Sequence, residues 1–256
     1  MPLFYNRLQA LDARAHAALR IRPDANFAFA RETNSIPLAA DELFVAQAHY
    51  PIVFTAGEQP IPVAVVGLHN GRNLFVTGNG DWRADAYIPA YVRRYPFAVA
   101  KDAEGGGPPV LAIDESARVL STSEGTLLFE DGRPSAAARR AFEFCTAVQT
   151  PFEVARQFAQ ALAEADLLVE REAQIRKGAE GIPFVFGGFR IVDEARFNAL
   201  SDDIYHDWRR RGWIALVHAH LMSLQCWPRI AALAGTAAAP ADPQGESDGP
   251  QGQVLH

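Results

Sequence analysis

The sequence predicts an α+β protein, with a largely antiparallel sheet from the N-terminal two-thirds covered by C-terminal helices in a single domain. β-Branched and aromatic runs dominate as far as Gly132, where the apolar spacing changes to a helical period. No linker separates the two compositions, and one late strand-like run, 182–192, needs a sheet to join.

Taken in order, "NFAFARE" (26–32) alternates and places Phe27 and Phe29 on one strand face. "DELFVAQAHY" (41–50) predicts a short helix capped near Asp41 and halted before Pro51, followed by a buried strand in "YPIVFTA". "PVAVVGLHNGRNLFVTG" sets β-branched runs on either side of Asn70-Gly71. That dipeptide supplies the positive φ angles of a type I′ turn, so a hairpin is expected. "PPVLAIDE" (108–115) and "GTLLFEDG" (125–132) are two further strands. Between the hairpin and these strands, "EGGGPP" (104–109) is a loop. Its glycines lack the Lys-Ser/Thr that completes a phosphate-binding loop.

After Gly132, "PSAAARRAFEFCTAVQ" is helical. "TPFE" (150–153) has the spacing of a capping box and starts a helix from about Pro151 to Leu168, with Phe152, Ala155, Phe158, Ala159 and Leu162 on one stripe. Gly187-Gly188 marks a turn or bulge within 182–192. Asp193 and Ser201 are expected helix caps, and Gly212 is expected to end a helix. From Trp213 to about Leu233 the chain is apolar nearly all round, which predicts a buried helix interrupted by Pro228. The Pro/Gly/Ala-rich segment 234–256 predicts a disordered tail, leaving 1–233 as the folded domain.

Composition narrows the function classes. The 256 residues carry a formal charge of −6, against a nucleic-acid role, and their basic runs are short. The two cysteines, Cys145 and Cys226, fall in apolar helical patterns, which favours buried thiols and a reducing compartment. The N-terminus lacks the pattern of a signal peptide, and no stretch approaches the roughly 18 apolar residues of a membrane span. A cytoplasmic location without membrane insertion follows as the expectation.

Candidate chemistry is sparse. His218 and His220 lie about 200° apart on a helix and cannot chelate one ion from a single face. Met222 shares a face with His218 and is expected in the core. No G-x-S-x-G motif is present, Cys145 sits among Phe142, Phe144 and Val148, and the carboxylate pairs fall at caps and turns. No catalytic residue, metal ligand or cofactor is therefore assigned. The unusual stretch is "NLFVTGNGDWRADAYIPAYVRRYPF" (73–97), in which Pro89 and Pro96 bracket a short helix. Asp81, Trp82, Tyr87, Tyr91, Arg93, Arg94 and Tyr95 are its candidate ligand-binding residues. They form either a packed connection or a pocket rim, because aromatic bodies with guanidinium forks suit a carboxylate- or peptide-bearing ligand.

Several segments taken together resemble the SapC family: "IPLAADELFVAQAHYPIVF", "VVGLHNGRNLFV", "GDWRADAYIPAYVRRYPF", "LLFEDGRPS", "FVFGGFRIVDEARFNALSDD" and "RGWIALVHAHLMSL". The resemblance spans about residues 1–233. It implies a bacterial protein of a family named from surface-layer gene clusters. Members are also associated with genes for TonB-dependent receptors, tryptophan-halogenase-like flavoproteins and cupin-like oxygenases. It brings no catalytic residues. The leading expectation is a non-enzymatic, cytoplasmic binding or accessory protein that recognises a peptide or protein partner. The alternative is an enzyme of unrecognised type with a pocket around Trp82–Phe97. A metal protein would require the fold to gather His218, His220, His49 or His69.

Overall fold

A computed structural model of the chain describes residues 2–23, 26–100, 108–176 and 183–236. The described strands are β1 (Leu8–Ala10), β2 (Arg20–Ile21), β3 (Ser35–Pro37), β4 (Ile52–Thr55), β5 (Pro62–Val65), β6 (Phe97–Ala100), β7 (Val110–Asp114), β8 (Leu120–Ser121), β9 (Thr126–Leu127), β10 (Phe129–Glu130), β11 (Arg133–Pro134), β12 (Leu168–Arg176) and β13 (Pro183–Val192). The helices are α1 (Leu43–Ala46), α2 (Ala90–Arg93), α3 (Ala136–Ala147), α4 (Gln149–Glu164), α5 (Glu194–Asn198), α6 (Asp202–Arg210), α7 (Trp213–Ser223) and α8 (Trp227–Thr236).

The α+β class is the one predicted, and every pairing among the described strands is antiparallel. The central sheet has the order β12-β13-β4-β5-β3, so the late strand does find a sheet. A second sheet, β1-β7-β6, and the small β8-β2-β9 sheet stand beside it. The main core joins β3–β5 to α4 and α7 through Ile36, Phe54, Val65, Phe158, Leu162 and Val217, all at most 2% exposed. A smaller core under α3 uses Ile113, Leu128 and Cys145.

His220 joins the two halves of the central sheet. β13 pairs with β4 only at Phe189↔Thr55 and Arg190↔Phe54. Where Val192 would next meet Ile52, the imidazole of His220 stands between them. The Val192 amide donates to Nε2 at 3.1 Å, so Nδ1 carries the proton and donates to the Ile52 carbonyl at 2.8 Å. Ser223 Oγ accepts from the Ile52 amide at 2.9 Å and donates to the His220 carbonyl. One turn of α7 thus replaces a rung of the ladder, and burial holds the neutral ring's pKa down to about 4.

Several local expectations need correction. Residues 26–32 form no strand; Ala28–Ala30 is a 3₁₀ turn, because Asn26 Oδ1 accepts from the Ala28 amide and the Phe27 amide bonds to Gly80. The chain does turn at Asn70-Gly71, with Gly71 at φ +73° and Leu74 bonded back to Val66, but no second strand follows. β3 and β4 already occupy both edges of β5, and the returning limb is tied instead by buried Asn73, whose side chain bridges Ala30 and Phe75. "GTLLFEDG" divides into the short β9 and β10.

The Thr150 capping box is also absent. α4 begins at Gln149 behind Val148, because α3 runs almost directly into it, and it ends at Glu164 so that Leu168 opens β12. Asp41 caps nothing; Glu42 accepts from the Ala39 amide at 2.9 Å and performs that role. Met222 is 58% exposed, because α7 turns that face outward. The helical run breaks at Leu224–Cys226 rather than at Pro228, which sits in the first turn of α8, and α8 continues to Thr236. The remaining tail, 237–256, lies outside the described residues, as do residues 104–107 of the predicted loop.

Of the two expected caps, Asp193 caps α5 through its side chain, while Ser201 stands at the N-cap position of α6 without a side-chain bond; Ser135, which the sequence did not single out, caps α3. Gly212 separates α6 from α7 at φ +75°, and the β12–β13 register shifts opposite Gly187-Gly188. Among the described residues no helix is long and apolar enough to cross a membrane.

Candidate functional site

The segment 73–97 is anchored from beneath by Glu42. Pro89 precedes α2 and leaves its first amides without partners, and Glu42 Oε1 accepts from the Ala90 amide. The same oxygen accepts from the Tyr87 hydroxyl at 2.8 Å, while Oε2 serves the Ala39 amide. Burial raises the Glu42 pKa against these bonds. Burial and the Glu42 charge push Tyr87 up to about 12. Arg93 completes the group, donating from Nε to the Ile88 carbonyl at 3.0 Å and from Nη2 to the Tyr87 hydroxyl at 3.0 Å.

The seven candidate residues separate into two sets. Arg93, Arg94 and Tyr95 line a cleft of about 860 Å³. Tyr91 is buried and supports Arg94, while Tyr87 is half-buried and holds Arg93. Trp82 is core, donating from Nε1 to the Tyr50 hydroxyl at 3.1 Å, and that hydroxyl donates to the Tyr87 carbonyl. Asp81 lies exposed in a turn closed by Thr77, away from the cleft.

The cleft walls come from distant parts of the chain: the N-terminal segment, the 3₁₀ turn, the end of α2, the loop after β7, and α3. Half-buried rings cover much of it. Tyr95 stacks on Phe29 with centroids 4.0 Å apart, Phe4 meets Phe29 edge-on at 5.2 Å, and Phe144 lies 5.1 Å from the Arg93 guanidinium.

Its charge is one-sided. Among the described residues five arginines, Arg22, Arg31, Arg93, Arg94 and Arg118, line it with one carboxylate, Glu32. Arg31 is held by the Thr77 and Gly78 carbonyls, Arg94 lies 4.0 Å over Tyr91, and neither has a carboxylate within 4.0 Å among the described residues. Arg118 is exposed, with no hydrogen bond or ion pair among them. Arg94 Nε is buried without a hydrogen-bond partner. A positive concave wall of this kind, in a chain of charge −6, is a local field built by position rather than by composition.

Two groups with nucleophilic chemistry border the cleft. Ser116 Oγ donates to Asp114 at 2.6 Å. Burial acts to raise Asp114, but bonds from Ser116 and from the amides of Asn6 and Arg7 hold it below its usual value. A carboxylate committed to four donors is a weak base. Burial pushes the Cys145 thiol up to about 11, so it stays protonated. His220 is locked in the sheet, exposed His218 rests against Phe197, and no group of three metal-ligating side chains occurs among the described residues.

Sequence reasoning found the α2 wall and missed the opposite one. Arg31 lay in the expected strand 26–32, and Arg118 falls between the two strands expected at 108–115 and 125–132. Phe4, Phe29 and Phe144 carry no local signal, since only the tertiary fold brings them to Tyr95.

Fold and cleft together define an α+β protein with an arginine- and ring-lined concavity. A family model described as SapC matches residues 11–230, and the chain belongs to the SapC family. No curated protein and no solved structure matches the chain.

Proposed function

We propose that the chain is a non-enzymatic binding or accessory protein of the bacterial cytoplasm that holds a segment of a peptide or protein partner in the cleft beside α2. The observation that carries this reading is the lining, five arginines against one carboxylate over half-buried rings. The volume, about 860 Å³, lies within the range of roughly 300–1,000 Å³ typical of ligand sites. The saturated Asp114 and the protonated Cys145 favour binding over chemistry.

The test is affinity capture from a native lysate with wild type and with Arg93→Ala/Arg118→Ala, both exposed positions, the variant's fold being confirmed by its thermal melt. Loss of specific partners from a normally folded variant is expected. An identical partner set for the two proteins would overturn the assignment to this cleft.

A further inference from the structure

We infer that the cleft selects an acidic peptide segment in which carboxylate side chains alternate with aromatic or large apolar ones. This deepens the binding reading and rests on it.

The charge argument comes from the arginines' partners. Arg31, Arg94 and Arg118 stand on three different walls, and none has a carboxylate within 4.0 Å among the described residues. Arg31 is held by the Thr77 and Gly78 carbonyls, whereas Arg93 is held by the Ile88 carbonyl and lies 3.8 Å from the Glu42 carboxylate. Arg31 is thus fixed in place while its charge stays without a carboxylate partner among the described residues. Such prearranged guanidinium groups suit charge-assisted bonds to carboxylates.

The aromatic argument comes from the surfaces between the arginines. Phe4, Phe29, Tyr95 and Phe144 are half-buried in the chain alone, and each lines the cleft. An arriving ring or aliphatic side chain would cover them and displace water. Excluding water also strengthens the neighbouring ion pairs. Walls that alternate charge and ring are complementary to a ligand that alternates in the same way. An extended peptide presents successive side chains in opposite directions and so can address two such walls at once.

Fluorescence polarisation with full-length protein tests this, using a short fluorescein-labelled peptide that alternates Asp and Phe. Matched probes replace Asp with Asn or with Lys, or replace Phe with Gly. A labelled oligothymidylate supplies phosphate charge without side-chain carboxylates. The Asp/Phe probe is expected to bind at least about tenfold more tightly than the Asn and Gly versions, and to weaken as salt rises. The Lys version and the oligothymidylate are expected to bind more weakly still. Arg118→Glu and Arg31→Ala/Arg118→Ala, confirmed folded by unchanged thermal melts, should each lose at least about tenfold in affinity. Arg209→Ala, an exposed arginine outside the cleft, should lose nothing.

Equal binding of the Asp and Asn probes, or tighter binding of the oligothymidylate, would overturn the acidic-peptide inference. Lysate capture separates the two readings. If capture depends on Arg93 and Arg118 while the Asp and Asn probes bind alike, the cleft is a binding site of other specificity. If capture is unchanged by the cleft variants, both readings fall.

Discussion

The guanidinium carbon of Arg94 lies 4.0 Å from the centroid of Tyr91, with the rings of Phe152 and Tyr5 at 5.4 and 5.8 Å. This arginine is therefore part of the foundation of the cleft wall as well as of its charge. Arg94→Ala is expected to lower unfolding stability by about 1–3 kcal/mol, through lost packing and cation–π attraction. Arg118→Ala, at an exposed position, should stay within about 0.5 kcal/mol of wild type. Urea titrations of the two variants make the comparison, and equal losses would contradict the division of roles.

Acid should weaken the fold through His220. Its pKa falls from 6.5 in the unfolded chain to about 4 in the folded one, so the unfolded state binds the proton first. Stability is lost as pH falls from 6.5 towards 4, by about 3 kcal/mol in all. Glu42, raised above 4.5, acts in the opposite sense just above that value and blunts the slope. Comparison with His220→Asn isolates the histidine: the variant should be weaker at neutral pH but lose less on acidification. Parallel pH profiles for the two proteins would count against the sheet wedge.

Glu42 tests the anchoring of α2. Glu42→Ala leaves the Ala39 and Ala90 amides and the Tyr87 hydroxyl without an acceptor, and a loss of about 2–4 kcal/mol is expected. Glu42→Gln keeps one acceptor oxygen and should lose less. Denaturation midpoints of the two variants decide the matter, and a Glu42→Ala protein as stable as wild type would refute the anchor.

Cys145 should resist alkylation. Its burial and its pKa of about 11 predict slow reaction with iodoacetamide at mildly alkaline pH in the native protein, and rapid reaction in urea. Mass spectrometry of the labelled chain reads the difference. Rapid native labelling would show that the thiol is open to the cleft and ionised.

What the sequence could disclose depended on how local the cause was. Asp193 and Gly212 act on their own turns, and their expected roles are the observed ones. Phe27 and Phe29 alternate as a strand would, yet the Asn26 side chain and the Gly80 carbonyl bend them into a 3₁₀ turn, so the alternation serves ring packing. Asn70-Gly71 makes its turn, but strand pairing beyond it depended on whether β5 had a free edge. The arginine pair stood out because its neighbours are unusual. Arg31 and Arg118 belong to the same surface and were invisible there, since their juxtaposition is a property of the folded chain.

The cleft also extends beyond the residues that the family model matches. The SapC match begins at residue 11, whereas Phe4 and Asn6 line the concavity and Tyr5 fastens it, its hydroxyl donating to the Phe97 carbonyl at 2.6 Å. A fragment trimmed to the matched residues would lose one side of the recess, the β1 strand and most of α8. A negative binding result is therefore meaningful only with the first ten residues in place and unencumbered by a fused tag.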